Sequence, residues 1–456
     1  MRLAEINDRS VSVRGQEHLR FDSESFDVSA FSPYAGLLER LCAQPAESFN
    51  DCHLDGRPGA VLRSTVELAT RRRIGAFFTG SRLRQTVFGG RWPLPTNTTF
   101  LDPACGAGDL LVASAATLPL HGDARETVSM WGSVLRGVDR VPQFVRAARA
   151  RLYLYACQRT NTRPPCAPTE LAALLPHITV GDGVALLKSQ ASQYTGCLLL
   201  NPPFGTSPAP SSYRLGTGSV SRAALFTVDA LNSLAEGGRM VALLPDVLRG
   251  GSNYRTWRHW VSQQCAYLQI QTLCRFDAWT DVDVFGMQVV KAPTANAAGV
   301  WPGTDGAAGR PSIKDGFSVA VGAVVPHRDP EIGPLRRYIY ARIVPLDGEL
   351  SRYPEARRCL GPAFTPPFVV VRRTSTPESK VRLRATVVMG NQPVAVENHL
   401  IVLTPKDGSV DTCRLAAAYL RSAEAADWVN SRIRCRHVTT AVLKDLPWDA
   451  HANVFD

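Results

Sequence analysis

The sequence predicts an α/β fold in which a mostly parallel sheet is covered by helices on both faces. Two observations predict it: short apolar runs alternate with helical stretches from about residue 99 to residue 291, and a glycine turn follows the first of these runs. Alternating strands and helices are typical of βαβ units, in which each helix crosses back over the sheet. With 456 residues, the chain is long enough for two or three domains of roughly 100–200 residues each.

Seven apolar runs are the predicted strands, and four helical patterns lie between them. The strands are Thr99–Leu101, Leu135–Val138, Ile178–Val180, Cys197–Leu200, Arg239–Leu244, Leu268–Leu273 and Met287–Lys291. The helices are Asp109–Leu118, Val141–Cys157, Ser221–Ala235 and Tyr254–Gln264. Upstream, helices are predicted over Tyr34–Cys42, over Ser64–Arg73, and from Ser81, a typical N-cap residue, to Val87.

The alternation breaks at Ala292–Pro311, where Ala, Gly, Pro, Asn and Thr dominate, as they do in linkers. Beyond this stretch, short β-like runs and a late helix predict a smaller α+β C-terminal domain. The predicted organisation is a partly helical N-terminal segment over residues 1–64, an α/β domain over 65–295, a linker or insert over 296–317, and the C-terminal domain over 318–456.

The composition is that of a soluble globular protein with a basic surplus. The chain has 51 Lys and Arg against 40 Asp and Glu, a net charge of +11. This surplus favours a polyanionic partner such as nucleic acid, although an Arg- and Ala-rich chain is also typical of a GC-rich genome. No apolar run reaches about 18 residues, so neither a membrane span nor contact with a membrane is expected. No cysteine pair has the Cys-x-x-Cys spacing, and we expect reduced thiols, no metal and a cytoplasmic location.

The first motif is a glycine turn in the segment Phe100–Leu111, between the first strand and a helix. Gly106 and Gly108 let the backbone turn sharply and approach a ligand closely. The turn lacks the Lys-Ser/Thr pair of a phosphate loop and the third glycine of the dinucleotide fingerprint. Asp102 and Asp109 beside it would repel a pyrophosphate, so they predict a ligand with a positively charged amino-acid end.

Two further acidic residues end the next strands. Asp139 follows the second strand, where its carboxylate could accept hydrogen bonds from both hydroxyls of a ribose. Asp182 ends the third strand and could accept from an adenine amino group, although a strand-end aspartate is also a common turn former or helix cap. Together with Asp102, they outline a nucleoside pocket at the carboxyl edge of the sheet.

The fourth strand ends in Asn201-Pro202-Pro203-Phe204. The two prolines fix the backbone and remove two N–H groups, which leaves hydrogen-bond acceptors at this point. Acceptors beside an aromatic ring suit a planar ligand that carries an exocyclic amine.

These motifs resemble those of the N6-adenine DNA methyltransferases. Asp-Pro-Ala-Cys-Gly-Ala-Gly (102–108) and Asn-Pro-Pro-Phe (201–204) match that family's glycine turn and catalytic motif. Upstream, Gly-Ala-Phe-Phe-Thr-Gly (75–80) resembles its cofactor motif, with Gly80 in place of the usual proline. The order of the motifs resembles the gamma group, which includes modification subunits of restriction systems. The resemblance covers residues 65–295 and implies a Rossmann-like methyltransferase core with a seven-stranded sheet.

The resemblance also implies ligands and residue roles. S-adenosylmethionine would be the methyl donor and S-adenosylhomocysteine the product, with DNA as partner and a separate restriction or specificity subunit as a further candidate. The donor would contact Phe77, Phe78, Thr79, Asp102, Cys105, Gly106 and Gly108. Asp139 would hold its ribose and Asp182 its adenine. The flipped target adenine would bind the catalytic motif, Asn201, Pro202, Pro203 and Phe204, and residues 318–456 would recognise DNA.

Two other functions remain open at this point. A methyltransferase acting on RNA or on a protein glutamine would use the same Asn-Pro-Pro-aromatic motif, because its target is also a delocalised amine. A DNA-binding module that no longer transfers methyl groups would keep the fold without the activity. Individually, Phe77 and Phe78 could be core residues and Cys105 a small packing residue.

Overall fold

The structure is a computed structural model that describes residues 28–44, 51–80, 98–209, 218–276, 282–292, 301 and 310–449. The predicted helix from Ser81 to Val87 and most of the predicted linker over 296–317 lie outside these residues. Within the part of the chain that is described, no helix is both long enough and apolar enough to cross a bilayer.

A seven-stranded sheet forms the centre of the N-terminal two thirds. The strands and a short hairpin after the fourth of them are β1 Phe100–Asp102, β2 Leu135–Asp139, β3 Ile178–Val180, β4 Cys197–Leu200, β5 Thr206–Pro208, β6 Ser219–Ser221, β7 Arg239–Pro245, β8 Cys265–Arg275 and β9 Asp283–Lys291. The sheet order is β3-β2-β1-β4-β7-β9-β8, and β5 pairs only with β6. Only β9 runs against the other sheet strands. The seven predicted strands and the mostly parallel sheet are confirmed.

Helices cover both faces of this sheet. They are α1 Ser32–Ala43, α2 Arg57–Thr65, α3 Leu68–Ile74, α4 Asp109–Ala115, α5 Ala124–Val134, α6 Pro142–Thr160, α7 Pro168–Leu174, α8 Gly183–Ser189, α9 Arg222–Ser233, α10 Asp246–Gly250 and α11 Arg255–Gln263. Successive residues of β4 point to different cores: Leu199 packs in a cluster with α1, α4 and α6, and Leu198 in a cluster with α9 and α11. The centre of the sheet is therefore buried on both sides, which explains the continuous apolar run of β4.

The helix predicted over Ser64–Arg73 is wrong as a single element. The chain leaves the helical conformation at Val66 (φ −117°, ψ 126°) and Glu67 (ψ 147°), between α2 and α3. Val66 is buried in the core, and its carbonyl accepts a hydrogen bond from Arg71 Nε at 3.0 Å. After this break, α3 leads to Gly75, which packs on Pro203 just beyond the carboxyl end of β4.

The C-terminal part has the predicted α+β character. Its strands are β10 Phe317–Val321, β11 Leu335–Ile339, β12 Glu349–Leu350, β13 Glu355–Arg358, β14 Phe368–Arg372, β15 Ala385–Val388, β16 Val394–Val396 and β17 Leu400–Pro405. They form a five-stranded sheet, β10-β17-β14-β15-β12, and a three-stranded sheet, β13-β11-β16. The helices are α12 Ile313–Gly316, α13 Val410–Leu420, α14 Ala423–Arg432 and α15 Thr440–Asp445, and they pack on the larger sheet in a core of their own.

Candidate active site

A cavity lies at the point where the order of the strands in the sheet reverses. β1 is followed by β2 and β3 on one side, and the chain then returns to place β4 on the other side of β1. Ligands of open α/β sheets bind outside the carboxyl ends of the strands at such a switch point. A cavity of about 340 Å³ lies there. It is lined by Arg73, Ile74, Gly75, Ala76, Phe77, Phe78, Thr79, Asp102, Pro103, Ala104, Cys105, Gly106, Asp109, Leu110, Asp139, Arg140, Val141, Phe144, Asp182, Gly183, Val184, Asn201, Pro203, Thr206, Ser207, Pro208, Arg222 and Phe226.

The two glycines of the turn have different surroundings. Gly106 (φ 52°) lines the cavity, and a Cβ there would lie 2.8 Å from Cε1 of Phe78. Gly108 (φ 82°) is outside the lining and packs against α6, where a Cβ would lie 2.9 Å from Cβ of Ala148. Gly106 therefore meets the cavity, whereas Gly108 lets the turn pack on a helix.

Asp139 and Asp182 line the cavity, and their carboxylates accept hydrogen bonds from backbone N–H groups. Asp139 accepts hydrogen bonds from the Gly106 and Val141 N–H groups, each at 2.9 Å. Burial raises the pKa of Asp139 to about 6, against the opposing effect of these N–H donors. Asp182 caps α8 by accepting from Val184 N–H at 2.9 Å. Both carboxylates thus accept from backbone N–H groups just beyond the carboxyl ends of β2 and β3.

Asp102 and Cys105 lie deep in the glycine turn. Asp102 is 2% exposed and accepts from the Ala104 N–H at 3.1 Å. Burial raises its pKa to about 8, and the nearby Asp139 adds to this effect. Burial also raises the pKa of the Cys105 thiol well above its usual range, which favours a packing role for Cys105 over a nucleophilic one.

Asp109 differs from the expectation that it would face a cationic ligand. Its carboxylate pairs at 2.8 Å with the fully buried guanidinium of Arg151, on α6. Arg151 also donates to the Ala107 carbonyl of the turn and to the His53 and Leu54 carbonyls. The charge of Asp109 is therefore already neutralised, and Arg151 ties the glycine turn to the N-terminal segment.

Asn201 is held by the segment that follows α3. Its side-chain Nδ2 donates to the Phe77 carbonyl at 2.8 Å and to Thr79 Oγ1 at 2.9 Å. Because a carbonyl oxygen can only accept, the nitrogen of the amide must face Phe77. Asn201 Oδ1 is buried and has no hydrogen-bond partner among the described residues. A buried acceptor without a partner is costly in a folded protein, and this one belongs to a residue that lines the cavity.

The other residues of the Asn-Pro-Pro-Phe motif are buried or pack against the segment 75–79. Pro203 lines the cavity and packs on Gly75, where a Cβ would come within 2.6 Å of the Pro203 Cα. Pro202 is buried, and neither it nor Phe204 lines the cavity. The Phe204 ring stacks on Phe77 at 5.6 Å and 20°, and packs edge-on against Phe276 at 5.4 Å. Stacking of Phe204 on a target base stays a prediction, since one of its faces is already covered.

Comparison with solved structures shows the fold of this region. The type IIL restriction-modification enzyme MmeI, solved in complex with DNA, matches with a TM-score of 0.52 and 13% identity, over 85% of this chain and 70% of MmeI. The chain has a Rossmann-like methyltransferase fold. No protein-family model matches the sequence.

Two weaker matches are also restriction enzymes. The type IIG restriction endonuclease BpuSI matches with a TM-score of 0.37 and 12% identity over 94% of this chain, and the EcoKI M protein with 0.34 and 18% over 59%. The chain spans 62% of BpuSI and 56% of the EcoKI M protein.

The methyltransferase fold brings several residues to the cavity that the motifs did not predict. On one wall, Arg222 at the start of α9 donates to the Arg73 carbonyl at 2.8 Å, and Ser207 of the β5–β6 hairpin presents a buried Oγ without a hydrogen-bond partner among the described residues. Phe226 and Phe144 add apolar surface. None of these residues belongs to a local motif. They reach the cavity through contacts between distant parts of the chain, such as the bond between Arg222 and Arg73, which are 149 positions apart.

Proposed function

We propose that this protein transfers a methyl group from S-adenosylmethionine to N6 of adenine in DNA, in a restriction-modification or phage-defence setting. The observation that carries the proposal is Asn201 Oδ1, a buried acceptor without a partner among the described residues, on a side chain that lines the same cavity as the glycine turn. An exocyclic amine could donate a hydrogen bond to this acceptor.

The chemistry of the target explains why an acceptor is needed. The N6 lone pair of adenine is delocalised into the ring, so the amine is a weak nucleophile. Hydrogen bonds accepted from its two protons by Asn201 Oδ1 and the Pro202 carbonyl would favour a pyramidal nitrogen with a localised lone pair. Because Asn201 is already oriented by Phe77 and Thr79, little reorganisation would be needed at the moment of reaction.

The cavity residues fit S-adenosylmethionine, which when bound would supply an electrophilic methyl group on a sulfonium. The Asp102, Asp139 and Asp182 carboxylates line the cavity on the side of β1, β2 and β3, where a cationic ligand is favoured. Asp102 would pair with the ammonium group, whose charge would oppose the burial that raises the pKa of this carboxyl to about 8. Phe78 and Phe144 would enclose the donor against Gly106.

Arg73 and Arg222 support DNA as the substrate. Both line the cavity that Asn201 also lines, and the Arg222 guanidinium donates to the backbone carbonyl of Arg73. Their positive charges would favour the phosphodiester backbone of a bound DNA. The MmeI structure includes DNA, and the chain carries a net charge of +11. Extruding the adenine from the duplex would cost a few kcal/mol, supplied by binding in the cavity. We also propose that residues 318–456 hold the DNA.

The test is methyl transfer from labelled S-adenosylmethionine to genomic DNA, followed by analysis of the modified nucleosides. We expect N6-methyladenine from the wild type and a loss of about 100-fold or more in Asn201→Ala, because the oriented acceptor is removed. Asn201→Asp should also lose activity, because its second oxygen would face the Phe77 carbonyl. Asn232→Ala, at an exposed position of α9, is the matched control and should keep wild-type activity.

Other outcomes would replace the proposal. Label on cytosine, on RNA or on a protein glutamine would change the substrate. Tight donor binding without transfer to any of them would indicate a DNA-binding module.

A further inference from the structure

The side chain of Thr79 is directed at the Asn201 amide. Thr79 is 3% exposed, and its Oγ1 accepts one of the two Nδ2 protons of Asn201, while the Phe77 carbonyl accepts the other. Both donors of the amide are therefore used, and only Oδ1 is left for a ligand.

Two bonds orient an amide better than one. A single bond to the Phe77 carbonyl fixes which end of the amide is the nitrogen but still allows the amide plane to rock about the Cβ–Cγ bond. The second bond, to Thr79 Oγ1, fixes the plane of the amide and so the direction of the Oδ1 lone pairs. We propose that Thr79 is a positioning residue that aims Asn201 Oδ1 at the target amine; this inference rests on the proposed function.

The position of Thr79 is itself anchored from both sides. The segment that carries it starts at Gly75, which packs directly on Pro203, and the Arg73 carbonyl before it accepts from Arg222. The Phe77 ring stacks on Phe204, which adds a further contact between the two segments. The hydroxyl of Thr79 is thus held relative to the loop whose asparagine it orients.

This role differs from the donor contact that the family resemblance implies for Thr79. A donor-binding hydroxyl would affect the affinity for S-adenosylmethionine, whereas a hydroxyl that orients Asn201 would affect turnover. In Thr79→Val we expect kcat to fall about tenfold, as for the loss of one buried hydrogen bond. The donor Kd by calorimetry should stay within about twofold. Thr79→Ser keeps the oxygen and should restore most of kcat.

The matched control is Thr227→Val in α9. Thr227 is also a buried threonine, but its Oγ1 donates to the Ala223 carbonyl within its own helix, and it does not line the cavity. This variant should keep both kcat and donor Kd. A raised donor Kd with unchanged kcat in Thr79→Val, or no rescue by Thr79→Ser, would overturn the positioning role.

A second measurement does not depend on activity. With ¹⁵N-labelled asparagine, the Asn201 side-chain NH₂ signals can be assigned by their loss in Asn201→Asp. In the wild type both protons should exchange slowly with solvent, and Thr79→Val should shift and deprotect one of them. Fast exchange in the wild type, or unchanged signals in a folded Thr79→Val, would contradict the inference. If the wild type shows the expected signals but methylates no DNA, the proposed function fails and the orienting contact stands.

Discussion

Asp102 is a buried carboxyl group whose ionisation opposes folding. Burial raises its pKa from 3.8 to about 8, so the folded protein keeps this proton at pH values where the unfolded chain has lost it. The unfolded state then binds fewer protons than the native state, and stability must fall as the pH rises from about 4 to about 8. Asp139, with a pKa of about 6, adds the same effect only below that value.

Between pH 6 and 8, Asp102→Asn should therefore flatten the pH dependence of the unliganded protein. The wild type should lose up to about 1.4 kcal/mol of unfolding free energy per pH unit from this group. The amide oxygen of the variant can still accept the Ala104 N–H, so the turn should be kept. Urea denaturation at pH 6, 7 and 8 measures the slope, with Asp427→Asn at an exposed position as control. Equal slopes in wild type and Asp102→Asn would contradict the assignment.

At the scale of elements, the close contact between the end of α3 and the Asn-Pro-Pro-Phe loop aligns the two halves of the site. Gly75 ends α3 in the left-handed region (φ 71°), and it has no room for a Cβ beside Pro203. Gly75→Ala should therefore lower the free energy of unfolding for two reasons: alanine disfavours this backbone conformation, and its Cβ must displace Pro203.

Gly408→Ala separates these two costs. Gly408 has nearly the same φ, 68°, but a Cβ there would meet nothing within 4 Å. We expect a loss of about 1 kcal/mol in Gly408→Ala with full activity. Gly75→Ala should lose a further 1–3 kcal/mol, together with methyl transfer. Denaturant unfolding and the transfer assay check both variants, and equal losses of stability would show that Pro203 can move aside.

The elements that could be predicted from the sequence are those defined locally. The seven strands are short segments rich in apolar residues, and the turn at Gly106 follows from its glycines, so their order placed Asp102 and Asn201 at one edge of the sheet. The break at Val66, the pairing of Asp109 with Arg151 and the burial of Phe204 could not be predicted. Each of these depends on a partner that is distant in sequence, and no local pattern identifies that partner.

At the scale of the whole molecule, a buried ion pair within α10 lies where the core that carries the cavity contacts the C-terminal core. Arg249 of α10 binds Asp246 at 2.6 Å and also donates to the Asn430 and Ser431 carbonyls at the end of α14. Gly250 lies so close to α14 that a Cβ would overlap the Arg432 carbonyl. α10 directly follows β7, the neighbour of β4, so this contact links the C-terminal part to the sheet that carries Asn201.

Arg249→Met should loosen this contact, because the buried Asp246 carboxylate loses its cationic partner and keeps only the Arg434 N–H, and the Asn430 and Ser431 carbonyls lose this donor. We expect a loss of about 3–5 kcal/mol, part of which Asp246→Asn should recover in the double variant. Arg414→Met is the matched control: its pairs with Glu349 and Asp411 are solvent-exposed, so its loss should be much smaller than that of Arg249→Met. Hydrogen exchange followed by mass spectrometry should show faster exchange confined to α10 and α14 in Arg249→Met, with β1 and β4 unchanged. Faster exchange spread evenly over both cores would mean that the ion pair supports the whole fold and does not act as a joint between its two parts.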